Sequence, residues 1–181
     1  MLINKEKCAL LVIDVQARLL PGVHESEALV KNCRWLMELA KLVGVPMLGT
    51  EQYPQGVGPT AEELKTLLPA EDFIGKTFFS CVDSPECNAR LEAMDCETFV
   101  LCGMEAHACV MQSALRLREQ GKTVYVVADA ISARNPVDTE YAIARMRDEG
   151  VKIVTREMVG FEWMRRSDVP EFKDFSMKFL R

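Results

Sequence analysis

Apolar residues crowd the stretch Cys8–Val15 (CALLVIDV), an almost unbroken run with Asp14 near its end. Such a run suits a strand covered on both faces, as in a parallel sheet. From Glu25 to Val43 the pattern turns helical: Leu29, Cys33, Leu36, Met37 and Ala40 share one face, Ser26 stands where an N-cap belongs, and Gly44 closes the far end. A short second strand is predicted over Val45–Gly49, then a Gly- and Pro-rich loop over Thr50–Pro59. Thr60 and Glu63 have capping-box spacing for a short helix reaching Leu68. A third strand is expected over Phe73–Phe79, and Ser84-Pro85 opens a helix ending near Asp95.

The second half alternates more regularly. A strand over Thr98–Cys102 leads through Gly103–Cys109 into a helix ending at Gln120-Gly121, followed by a strand over Thr123–Ala128. A helix from Val137 to Glu149-Gly150 and a strand over Lys152–Thr155 come next, and the remaining segment is expected to be helical on a weaker pattern. Alternation of this kind implies right-handed crossovers and one domain over 1–181: an open, mostly parallel β-sheet with helices on both faces. Ligands of such sheets bind at the carboxyl ends of the strands, where Asp14, the run Thr50-Glu51-Gln52 and the approach to Cys109 fall.

Charge narrows the partners. A net charge of −5 and a pI near 5.2 leave no clustered cations for a phosphate backbone, so no nucleic-acid partner is expected. No apolar run is long enough to span a membrane, and Lys5, Glu6 and Lys7 precede the first apolar segment, so no signal peptide is read. The seven cysteines are odd in number and lack CxxC spacing, which predicts free thiols in a reducing cytoplasm, most of them packing residues.

Cys109 stands at a predicted helix start, where exposed N–H groups and the helix dipole would lower a thiol's pKa and make a nucleophile. A buried cysteine that merely begins a helix fits position alone better. Asp14, at the end of an apolar run, suits either a general base or a turn-capping acid. Lys76, beside Gly75 and ahead of Phe78 and Phe79, suits either a cation shared by acid and thiol or a surface lysine. His107, two residues before Cys109, is read as a pocket wall or hydrogen-bonding residue. No glycine-rich nucleotide motif is present.

Read together, these contexts carry a resemblance. Val12-Ile13-Asp14-Val15-Gln16 resembles the DxQ motif of isochorismatase-like cysteine hydrolases, Gly75-Lys76-Thr77-Phe78-Phe79-Ser80 their lysine motif, and Gly103-Met104-Glu105-Ala106-His107-Ala108-Cys109-Val110 their cysteine motif. The resemblance implies a triad of Asp14, Lys76 and Cys109, thiolate attack on a small amide-like carbonyl, and a thioester released by water. It also implies a cis Met104–Glu105 bond and an oxyanion hole of the Glu105 and Cys109 N–H groups. Gln16, Glu51, Gln52, Phe78 and His107 are the pocket candidates. Nicotinamidases of this superfamily bind a metal through an Asp and two His after the second strand, whereas this chain has Thr50-Glu51-Gln52-Tyr53-Pro54 there. With no histidine there, neither a catalytic metal nor another cofactor is expected, and that stretch together with Gly103-Met104-Glu105-Ala106-His107 looks like the isochorismatase domain-containing subgroup. Retention of Cys109 also argues against vinyl-ether cleavage by a true isochorismatase. The expected partners are a small-molecule substrate and further copies of the chain, in a dimer or larger assembly. Two rivals remain: an oligomeric binding module, and a thiol redox sensor acting through Cys109.

Overall fold

Every residue of the first strand, β1 (Cys8–Ile13), is buried, because its two faces lie in two different cores. Leu10 and Val12 join Val100, Cys102, Tyr125 and Val127 on one side. Ala9, Leu11 and Ile13 join Phe99, Leu101, Val124 and Val126 on the other. This period-two alternation is what a strand sandwiched between helical layers requires. The structure, a computed structural model, describes residues 1–180.

After β1 come α1 (Ser26–Val43), β2 (Met47–Gln52), two short helices α2 (Pro54–Val57) and α3 (Glu62–Lys65), and β3 (Phe73–Lys76). Then follow α4 (Pro85–Ala93), β4 (Thr98–Met104), α5 (Met111–Glu119), β5 (Thr123–Ser132), α6 (Pro136–Asp148) and β6 (Lys152–Val154). Two further helices, α7 (Arg156–Met164) and α8 (Pro170–Phe179), close the chain. The six strands form one sheet in the order β3-β2-β1-β4-β5-β6, and every pairing is parallel. This is the doubly wound arrangement the alternation predicts. One face carries α1, α7 and α8 through Leu36, Trp163 and Phe175. The other carries α4, α5 and α6 through Leu91, Leu117 and Met146. From β1 the chain proceeds outward to β2 and β3, and from β4 outward the other way to β5 and β6. The crevice between the ends of β1 and β4 is therefore the switch point at which such sheets bind ligands.

Several predicted boundaries move. Strand β2 runs on through Thr50, Glu51 and Gln52, where a loop was expected, and β3 stops at Lys76 rather than Phe79. Ser26 is the first residue of α1, not its cap; Glu25 precedes it with φ +49 and caps nothing with its side chain. Gly44 does close that helix, at φ +76. The Thr60–Glu63 capping box does not form, because the Thr60 hydroxyl and N–H both go to the Glu51 carboxylate, at 2.8 and 2.7 Å. The C-terminal segment is more firmly packed than its pattern suggests: Phe175 and Phe179 sit against Trp35 of α1, and Phe175 also meets Phe161 edge-on. Among the described residues no helix is long and apolar enough to cross a membrane.

Candidate active site

Three strand ends around the switch point turn on residues with positive φ. Asp14 follows β1 at φ +50, Tyr53 follows β2 at φ +39, and Gly103 lies near the end of β4 at φ +118. Left-handed non-glycine residues are uncommon and gather where surrounding structure holds them, often at functional sites. At Gly103 the requirement is also one of space. A Cβ there would sit 2.1 Å from the Ile13 carbonyl oxygen, so only glycine lets β4 lie this close to the end of β1.

The turn at Asp14 leaves its carboxylate almost wholly buried, where an unpaired charge would be costly. Two groups meet it. The Thr50 hydroxyl donates to Oδ1 at 2.7 Å, and the Lys76 ammonium donates to Oδ2 at 2.7 Å. The sequence marks Thr50 only as part of the Thr50-Glu51-Gln52 run; it is the register partner of Ile13, the residue before Asp14, and no sequence pattern reveals that neighbour. Lys76 is itself buried, and all three of its donors are engaged. Besides Asp14 they reach the Gln52 side-chain oxygen at 2.7 Å and the Phe78 carbonyl at 3.2 Å. The surface-lysine reading of Lys76 is thereby removed.

Cys109 approaches from the other side of the switch point. The Met104–Glu105 bond is cis, as the family resemblance implies, and Ala106–Val110 winds as a π-helical turn before α5 begins. In that turn Glu105 O accepts from the N–H groups of both Ala108 and Val110. Cys109 is only 6% exposed, and its sulfur lies 3.9 Å from Gln52 Oε1. Burial pushes its thiol up from 9.0 to about 12; Asp14 adds to the rise and Lys76 opposes it. This corrects the expectation of a lowered pKa. The sulfur is covered rather than presented at an open helix start, and the nearby carboxylate opposes a second negative charge. A resting thiol, with acid and ammonium already paired beside it, is the arrangement the fold builds.

The remaining pocket candidates divide by what holds them. Gln16 is fully buried and clamps the loop after β2: its Nε2 donates to Gln52 O at 3.0 Å and Gly58 O at 2.7 Å, while its Oε1 accepts from Gln52 N–H at 2.8 Å. Glu51 is committed to Thr60. The Glu105 side chain pairs with Arg134 at 2.9 Å. Phe78 is 52% exposed, and His107, half-buried in the π turn, has an Nδ1 that meets no partner among the described residues. A cavity of about 590 Å³ lies beside the edge strand, with walls including Glu51, Phe73, Lys76, Thr77 and Phe78. Lys76 reaches its wall but neither Asp14 nor Cys109 does, so this cavity adjoins the three groups rather than enclosing them. No group of three or more His, Cys, Asp or Glu among the described residues is placed to hold a metal ion.

Comparison with known proteins matches residues 8–158 to the Isochorismatase domain family. "Isochorismatase domain-containing protein 2A" of Mus musculus is 36% identical over 172 residues, 93% of this chain and 81% of the mouse protein. Among solved structures, the MAR1 ribonuclease of Caenorhabditis elegans superposes with a TM-score of 0.93 at 32% identity, covering 100% of this chain and 93% of that one. YcaC of Pseudomonas aeruginosa, solved with hexane-2,5-diol and covalent acrylamide, gives 0.90 at 27% identity, over 97% and 90% of the two chains. YcaC of Escherichia coli, described as an octameric hydrolase of unknown specificity, gives 0.88 at 25% identity, over 99% and 96%.

Proposed function

The chain belongs to the isochorismatase family of hydrolases, and from that membership we propose that it is a cysteine hydrolase of small amide-like substrates. The observation that carries this reading is the buried Lys76–Asp14 pair standing beside a buried Cys109 thiol. In the proposed reaction Sγ attacks the carbonyl carbon as its proton passes to the Asp14 carboxylate. Asp14 then protonates the leaving nitrogen as the C–N bond breaks, leaving a thioester on Cys109. Water, deprotonated by Asp14, releases the acid and restores the thiol. Lys76 offsets the negative charge that moves between carboxylate and sulfur, and the backbone N–H groups of Glu105 and Cys109 receive the carbonyl oxygen as it becomes an oxyanion. His107, with a free ring nitrogen, and Phe78 stand as substrate contacts.

The thiol's high resting pKa fits a nucleophile made during attack, not stored beforehand. The reading needs no metal: Glu51, where a metal-binding relative carries ligands, is spent on Thr60. Covalent acrylamide in one YcaC supports a reactive group in this fold, and the octameric hydrolase supports assembly with further copies of the chain. All seven cysteines are free among the described residues, which favours a reducing, cytoplasmic setting.

The MAR1 neighbour's name raises a second activity, RNA cleavage. The amide reading stands ahead of it, because the buried cation at the site is already neutralised by Asp14 and the chain carries −5. The test is mass spectrometry of the protein after incubation with acrylamide, primary amides and activated esters, beside a labelled-RNA cleavage assay with and without chelator. The expected result is an adduct on Cys109 that Cys109→Ala abolishes and chelator leaves unchanged. Cleavage of RNA that survives Cys109→Ala would overturn the assignment.

A further inference from the structure

Cross-strand register makes Gln52 and Lys76 direct partners on β2 and β3. Their side chains meet above the strand ends, so the Gln52 amide oxygen takes one ammonium proton at 2.7 Å and faces the Cys109 sulfur at 3.9 Å. The orientation of this amide is determined by its surroundings. Its Nε2 donates to the Thr77 carbonyl at 2.9 Å, so a flipped amide would set two carbonyl oxygens together and an NH2 group against the ammonium. The backbone beneath it is equally fixed, because Gln16 holds both the N–H and the C=O of Gln52.

We propose that Gln52 is a positioning residue of this site: its amide oxygen, lodged between the Lys76 ammonium and the Cys109 sulfur, holds the lysine on Asp14 and keeps the thiol protonated until substrate arrives. The inference rests on the cysteine-hydrolase reading and adds a residue to it. With three donors on Asp14, Gln52 and Phe78, Lys76 can give the sulfur only a shared, weakened contact, while the lone pairs facing that sulfur disfavour a thiolate and accept an S–H. Removing the amide frees a lysine donor and removes the opposing lone pair. Putting a carboxylate in its place does the reverse. The two replacements must therefore act on Cys109 with opposite sign, whereas a residue that only supports the fold would loosen the site in one direction.

The experiment is the rate of Cys109 alkylation by iodoacetamide across alkaline pH, read by peptide mass spectrometry. The charged groups acting on the thiol are Asp14 and Lys76, and both are varied as controls. Gln52→Met is expected to raise the rate at fixed pH about threefold or more, shifting the profile down by about half a pH unit, and Gln52→Glu to lower the rate and shift the profile up. Asp14→Asn should raise the rate and Lys76→Met should lower it. If both controls leave the profile unmoved, the triad reading fails. If the controls move it but the two Gln52 variants do not, or move it in the same direction, the triad reading stands and the proposal for Gln52 is overturned.

Discussion

Lys76 and Asp14 show how one residue's worth depends on the other's presence. A buried ion pair is weak evidence for stability, since desolvation of both charges offsets their attraction, but a survivor left alone is expensive. Lys76→Met is therefore expected to cost about 3–5 kcal/mol in urea unfolding, and the double variant Lys76→Met/Asp14→Asn to recover much of that loss while remaining inactive. A double-variant loss equal to the sum of the two single losses would mean that the pair is not coupled. At this scale Asp14 and Cys109 stood out by their places at a strand end and a helix start, Lys76 was read inside its strand, and only the family resemblance joined the three; the structure sets them side by side. The motifs could not show Thr50 or the clamp by Gln16, since both depend on which strand lies beside which. Nor could they show that Cys109 is covered; a helix start read from sequence looks open until its neighbours are known.

Among the elements, apolar pattern located every strand and the helices α1, α4, α5 and α6, and misjudged ends. Strand β2 continues through Thr50-Glu51-Gln52 because β1 pairs it as far as Thr50 and β3 goes on pairing Glu51 and Gln52 after its apolar residues run out. The π turn at Ala106–Val110 left no trace in the pattern, for one widened turn is too short to set a period of its own. The C-terminal segment, read only as helical on a weak pattern, folds as two helices, α7 and α8. Its support is aromatic packing across helices far apart in sequence: Phe175 of α8 is fully buried against Trp35 of α1 and Phe161 of α7. Gly160 leaves room for that ring, since a Cβ there would come within 2.8 Å of Phe175. Phe175→Ala is expected to cost about 3–5 kcal/mol, measured by thermal or urea unfolding, because neither α1 nor α7 can collapse into the space. A loss below about 1 kcal/mol would mean that α8 is not part of the cooperative unit.

For the molecule as a whole, buried thiols set an alkaline limit. Burial pushes Cys8, Cys81 and Cys109 each up from 9.0 to about 12. Above pH 9 the unfolded chain releases these protons and the folded chain keeps them, so their contribution is complete below 9 and is lost as pH rises through about 12. In that window each thiol should remove about 1.4 kcal/mol of stability per pH unit. Urea unfolding at a series of pH values above 9 should show the decline, and Cys81→Ala should make its slope shallower by that amount; an unchanged slope would show that Cys81 ionises as readily in the fold as out of it.

The parallel order β3-β2-β1-β4 has a last consequence. Lys76 belongs to the outermost strand, four residues long and joined to the sheet through β2 alone. Edge segments open at lower free energy than the interior. A molecule whose margin has lifted loses Ile74 from one core and leaves Asp14 without its counter-ion. On the proposed cysteine-hydrolase reading, such a molecule is inactive, and the working population is a subset of the folded one set by how tightly that margin is fastened. A second copy seated along it would raise turnover per chain without touching a reacting atom, and specific activity would then depend on protein concentration.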